Sequence, residues 1–193
     1  MSDTTTRRTA IQAIAAAVAA GTATIADAQH VHQRTASAAE TAGGAYKPRL
    51  FQPSEWETLK KLCELIVPGA SQGGAAEYID LLASNNRDLE AIWTGGLAWL
   101  DHTMQDRVQK PFRLATVEEQ KMLLDVIAFR RNREGGMGPG VAFFRWARRM
   151  TVDAYYSSPA GVKDLDYRGN KGMARFEVPA EAIDYAVERS GVA

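Results

Sequence analysis

Few side chains in this 193-residue chain are of a type that does chemistry, and they are scattered. His30 and His32 stand two apart in a run of Ala, Thr, Ser and Gln, and His102 is the remaining histidine. A metal site needs ligands that converge, from one helix face or from paired cysteines. Here there is no C-x-x-C, no His-x-x-x-His and a single cysteine, Cys63. His30 and His32 therefore read as solvated side chains in a tether rather than a metal-binding pair. His102 reads as a surface or core-edge histidine. Cys63 falls beside Leu62 and Ile66 on an apolar helix face, where a thiol behaves as an inert small hydrophobe. The alternative is a bond to a partner's cysteine in an oxidising compartment. Gly135, Gly136, Gly138 and Gly140 follow a helical stretch, not a strand, and lack the Lys-Ser/Thr of a phosphate-binding loop, so they read as a surface loop or hinge. Glu64, His102 and the Tyr155-Tyr156 pair are what a stand-alone enzyme would have to use. The expectation is that the chain carries no catalytic, cofactor-binding or metal-ligating residue of its own.

The N-terminus carries a different kind of message. Arg7 and Arg8 form a short basic segment, and Ile11 to Ala26 is uncharged and rich in alanine. Ala26-Asp27-Ala28 then gives the small-x-small pattern of a signal cleavage site, with Gln29 as the new N-terminus. As a helix the apolar run covers about 24 Å, short of the ~30 Å hydrocarbon core, so it is a poor permanent span. Thr6-Arg7-Arg8-Thr9-Ala10-Ile11 resembles the twin-arginine export motif, with Ala10 where that motif usually has Phe and Gln12 where it usually has Lys. An ordinary secretory signal with two arginines is the alternative. The twin-arginine resemblance implies export to the periplasm in the folded state.

These features must be positioned by something, and the pattern of the remaining chain is helical. The expected division is a signal peptide over 1–28, a flexible linker over 29–49 and a helical domain over 50–193. Apolar content of 46% and charged content of 24% are globular averages, and a formal net charge of zero leaves no footprint for nucleic acid. Pro53 opens a helix that runs to Ile66, with Trp56, Leu59, Leu62 and Cys63 at helical spacing. Further helices are expected over Ala75 to Ser84, Asp88 to Arg107, from Thr116 to about Phe129, Val141 to Ser157, and Pro179 to Gly191. Thr116 and Glu119 form a capping box. Gly95-Gly96 lies inside the Asp88 to Arg107 helix and costs about 1 kcal/mol per glycine, which a close helix crossing would explain. No strand pattern appears, so the fold class is all-α, an irregular multi-helix bundle.

The helix from Val141 to Ser157 is the densest in aromatic side chains. Phe143, Phe144, Trp146, Tyr155 and Tyr156 lie on several faces among Arg145, Arg148 and Arg149. One reading is a central core helix touched on most sides. The other is a helix with a second face for another protein, because Trp, Tyr and Arg are favoured interface anchors. On that reading the candidate interface is Phe144, Trp146, Tyr155, Tyr156 and Tyr167.

The order of several blocks resembles one family. Phe51, Glu55, Leu59, Leu62-Cys63-Glu64, Ile66 and Pro68 make its opening helix. Gly69-Ala70, Gly74-Ala75 and Tyr78-Ile79-Asp80 make the next block. Trp93, Gly96-Leu97 and Leu100-Asp101 make the middle helix. Phe143-Phe144, Met150-Thr151, Tyr155-Tyr156-Ser157-Ser158-Pro159, Tyr167 and Gly169-Asn170 close it. From about Phe51 to Asn170 the chain resembles the small (gamma) subunit, or subunit 3, of the gluconate 2-dehydrogenase type. Ala154 stands where the family commonly has Gly, and Phe176 to the end has no counterpart.

The resemblance implies a non-catalytic subunit that binds a large FAD-containing flavoprotein of the GMC type, with a cytochrome c subunit as a further partner in such complexes. FAD would then belong to the large subunit, and the small subunit would supply the export signal for both through the twin-arginine translocase. The complex would act on a sugar or sugar acid in the periplasm. The alternative function is a helical binding module for a small apolar ligand.

Overall fold

The computed structural model describes residues 25–166 and 178–190. Among these residues there are eight α-helices and two 3-10 turns, in the order α1 Ile25–Thr41, α2 Pro53–Ile66, α3 Ala75–Ala83, α4 Arg87–Val108, the turn Phe112–Leu114, α5 Val117–Ile127, the turn Arg130–Asn132, α6 Gly138–Tyr156, α7 Pro159–Asp164 and α8 Ala180–Ser190. The fold is all-α, as the pattern of the sequence required.

The helix ends are written locally. The backbone N–H of Gln52 donates to Oε2 of Glu55 at 2.8 Å, and Pro53 occupies the first turn of α2, where its missing N–H costs nothing. Asn86 caps α4 by accepting from the N–H groups of Asp88 and Leu89 at 2.9 and 3.0 Å. Thr116 and Glu119 form the expected reciprocal box at the start of α5, at 2.7 and 3.2 Å. The 3-10 turn before α5 is held from two sides. Asp101 accepts from the Phe112 N–H at 2.9 Å, and the buried Gln120 amide donates to the Phe112 carbonyl at 2.6 Å.

α3 lies at the centre of the molecule. All its residues except Glu77 are buried, and it packs against α1, α2, α4 and α6. A helix that is apolar on every side has to be enclosed. Its one buried acid, Asp80, is completely occupied by the strap that leads into α2. Asp80 accepts from the Tyr46 hydroxyl and Arg49 N–H at 2.8 Å each, the Leu50 N–H at 3.0 Å and the Phe51 N–H at 3.4 Å. Burial and the neighbouring Asp80 carboxylate push the Tyr46 phenol well above its usual pKa.

α4 and α6 form the principal crossing. The Trp93 indole N–H donates to Sδ of Met150 at 3.2 Å, and the Trp93 and Phe143 rings meet edge to face at 5.4 Å. Gly96 is what allows this approach, since a Cβ there would fall inside the Phe143 ring. Gly140 plays the same part beneath the ring of Trp99. Gly95 faces open space, so the crossing accounts for only one of the two adjacent glycines.

Two expectations about boundaries are corrected. The segment expected to be a flexible linker over 29–49 is helical from Ile25 to Thr41 and docks on α3. Its buried face is made of Ala28, Val31 and Thr35, small side chains that give no strong apolar period yet let two backbones come close. Beyond it, the strap from Tyr46 to Phe51 is pinned by Asp80 rather than free. The glycine loop expected over Glu134 to Gly140 gives way to helix already at Gly138, with Pro139 in the first turn and Gly140 against Trp99.

Candidate functional site

Two surfaces answer to the candidate residues, the outward face of α6 and a cleft beside α1. α6 is packed by α2, α3, α4 and α5, and Phe143, Phe144, Ala147, Met150, Thr151, Ala154 and Tyr155 along it are buried. Phe144 and Tyr155 were candidate interface anchors, and the structure places both inside the chain. Tyr155 packs beside Gly69 and Gly73, where a side chain on Gly73 would meet its ring at 2.7 Å, and it stands edge to face with Tyr156 at 5.0 Å. Both rings are buried by the chain's own packing.

Trp146 and Tyr156 remain half-buried, and they share the outer side of the helix with exposed Arg145, Arg148 and Arg149. Arg149 makes a 3.8 Å pair with Asp153 one turn on. The surface part of the candidate interface is therefore aromatic and basic, along some three turns of one helix. Tyr167, Arg7 and Arg8 lie outside the described residues.

The other candidate groups each have partners within the chain. Glu64 closes the turn after α2, its carboxylate accepting from the N–H groups of Gly69 and Ser71 at 2.7 and 3.1 Å. Burial works against its charge, but these bonds hold its carboxyl below the usual range. His102 is exposed on α4 and pairs with Asp106 at 3.5 Å. Cys63 is buried, receives the Thr151 hydroxyl at 3.5 Å, and has its thiol pushed up to about 12 by burial. That is the inert core cysteine expected from its neighbours, closed to a partner's thiol. Among the described residues no group of three or more His, Cys, Asp or Glu is placed to hold a metal ion, and no helix is long and apolar enough to cross a membrane.

Of the tether histidines, His30 is exposed but His32 is not solvated as expected. Its ring lies on Tyr78 at 5.1 Å and its Nε2 is 3.1 Å from the Ser157 hydroxyl. The Ser157 hydroxyl donates to the Asp153 carbonyl at 2.5 Å, which leaves its oxygen to accept from His32. Burial lowers the His32 pKa, and a bond to the Ala154 backbone opposes that shift.

His32 also borders a cleft of about 900 Å³ between α1, Trp56 and Lys60 of α2, Glu77 of α3 and the start of α7. Tyr46 and Trp56 stack in its wall at 6.0 Å. Burial raises the Glu77 pKa, and Lys60, paired with Glu57 at 2.7 Å, lies near enough to oppose the shift. The sequence hid this cleft because α1, one of its walls, carries no periodic signal. Trp56, at the edge of the buried face of α2, gave no sign that part of its ring would line a cleft.

Neither Ala26 nor Ala28 is in an extended segment. Both fall within α1, and Ala28 is buried.

The comparison with known families rests on the body that carries these surfaces, α2 to α7. Residues 53–173, more than half of the chain, match the gluconate 2-dehydrogenase subunit 3 family. No curated protein and no solved structure matches the chain. A match over the whole packed body, including the α4–α6 crossing and the Tyr155 pocket, establishes the relationship: the chain belongs to the gluconate 2-dehydrogenase subunit 3 family.

Proposed function

We propose that this chain is the non-catalytic small subunit of a periplasmic, FAD-dependent sugar or sugar-acid dehydrogenase. Its role is to bind the flavoprotein large subunit and to supply the twin-arginine signal with which the folded pair is exported. Membership in a family named for a dehydrogenase subunit supports the accessory role. The observation that carries the binding role is α6. Its inner side is filled by the chain's own helices, and its outer side still presents Trp146, Tyr156 and three arginines. Trp, Tyr and Arg at a protected centre are the side chains from which interfaces draw most of their energy. FAD, and the haem of any cytochrome c subunit, reside in the partners.

The test is co-expression with the neighbouring open reading frames, pull-down on this chain and an absorbance spectrum of the eluate. A large co-purifying protein with flavin absorbance is expected, and its yield falls at least tenfold in Trp146→Ala/Tyr156→Ala. Replacing Arg7 and Arg8 by Lys is expected to keep both proteins in the cytoplasm. A colourless lone chain, exported whatever stands at those two positions, would overturn the proposal. The cleft beside α1 favours the second reading, a binding module. Its volume lies in the range of small-molecule sites, and alanines, Val162 and the Tyr46–Trp56 wall give it apolar surface. Native mass spectrometry showing a retained small molecule would favour that reading over the first.

A further inference from the structure

We propose that α1 is a clasp. Docked on the body, it keeps the Ala26–Ala28 processing site helical, with Ala28 covered, and cleavage after Ala28 waits until the clasp lets go. The biological meaning of the site rests on the export reading above, whereas the shielding rests on geometry alone.

The bond between Ala28 and Gln29 lies four residues into a helix of 17. Ala28, Val31 and Thr35 recur on one face and are all buried, Val31 almost completely. His32 extends that face, with its ring against Tyr78 of α3 and its Nε2 at the Ser157 hydroxyl of the segment joining α6 to α7, 125 residues further along the chain. These partners are brought together only by the folded body. On its own, a helix of this length built from Ala, Thr, Ser and Gln is marginal in water. α1 is thus helical and covered when the body is folded and loosens when it is not. Peptidases bind the segment they cut in extended form, so that its backbone reaches the catalytic groups. A buried alanine in a docked helix meets neither condition. Cleavage by opening then proceeds in proportion to the population of the undocked state.

The consequence is an order of events. The segment next to the export signal reports whether the body behind it has folded, and removal of the signal requires that report to be withdrawn, by undocking at the membrane or by a partner that takes the place of α1.

The test uses the full chain, purified uncleaved from the cytoplasm and digested with an elastase-type protease that cuts after alanine. Products are followed by intact mass. Val31→Asp places a charge on the docking face without touching the body, and Ala36→Asp places one on the exposed face. Cleavage after Ala28 is expected to be at least tenfold faster in Val31→Asp than in the wild type, with the near-ultraviolet circular dichroism of the body unchanged, and unaltered in Ala36→Asp. Equal rates in wild type and Val31→Asp would overturn the clasp. A second measurement needs no variant. Amides of residues 32–38 are expected to exchange at least tenfold more slowly in the chain than in a synthetic peptide spanning 25–41, and equal exchange would overturn the clasp as well. Export that ignores the Arg7→Lys and Arg8→Lys changes removes the twin-arginine reading but leaves the protease and exchange results standing.

Discussion

α1 and α8 flank the family-matched body at its two ends, and they relate to water in opposite ways. α1 is built of small and polar residues, yet it buries Ala28, Val31 and Thr35 and seats His32 between Tyr78 and Ser157. α8 carries the larger apolar side chains, Ile183, Tyr185 and Val187, yet all three are at least half exposed, and every other described residue from Val178 to Arg189 is exposed as well. What separates them is shape as much as hydrophobicity. A face of Ala, Val and Thr comes close to a neighbouring backbone and makes many short contacts. On α8, Ile183 and Val187 stand on one side and Tyr185 on the other, among Glu181, Asp184 and Glu188, and the body buries none of them.

The largest test of this contrast is Trp93→Ala, at the heart of the α4–α6 crossing. It is expected to cost about 3–5 kcal/mol in urea unfolding, since a fully buried indole and its contacts with Met150 and Phe143 are lost. Exchange protection of α1 should disappear together with that of the body, while the α8 amides stay as they were. If the α1 amides kept their protection after the body had unfolded, α1 would owe nothing to docking.

The role of small residues is sharpened by two glycines one position apart. Gly96→Ala is expected to lose about 1–3 kcal/mol, because the new methyl has to displace the Phe143 ring. Gly95→Ala meets open space and is expected to gain about 1 kcal/mol through helix propensity alone. The same sign for both in thermal unfolding would break the argument.

A smaller effect follows from pH. Burial lowers the His32 pKa from its usual 6.5, so the unfolded or undocked state binds the proton more readily. The contribution of His32 is then complete above pH 6.5 and is lost as pH falls below it. Between pH 7 and 5, exchange of the α1 amides, corrected for the intrinsic pH dependence, should rise, and that of α8, which carries no histidine, should not. His32→Gln should abolish the rise. Smallest of all, Ile183→Asp should move the stability of the body by no more than about 0.5 kcal/mol, as for a surface substitution. A loss of several kcal/mol would show that α8 is docked after all.

Much of the body was legible in the sequence. The α2 to α6 helices were written by Pro53 and the Thr116–Glu119 box, together with large apolar residues at helical spacing, and the family resemblance from Phe51 to Asn170 agrees closely with the matched span 53–173. α1 was illegible because its buried face consists of Ala, Val and Thr, which also make up linkers. The inward turn of Phe144 and Tyr155 could not be read from α6 itself, since a helix with aromatics on several faces does not say which faces its neighbours cover. Asp80 had a signal that passed unused. A lone carboxylate in the otherwise apolar run Tyr78-Ile79-Asp80-Leu81-Leu82 has to find donors inside the fold.

The hold of Asp80 on Tyr46, Arg49 and Leu50 also sets how far α1 can go. Thr41 ends the helix and Tyr46 is already anchored, so only residues 42–45 lie between, where Gly43 and Gly44, both at positive φ, close the helix end through N–H bonds to the Glu40 and Ala39 carbonyls. They tie α1 to the body by a leash of four residues. A released α1 stays within reach of its seat on α3, at an effective concentration on the order of millimolar. Recapture is therefore an intramolecular event that competes with anything seeking the vacated surface, and a partner has to outbid a rival that never diffuses away.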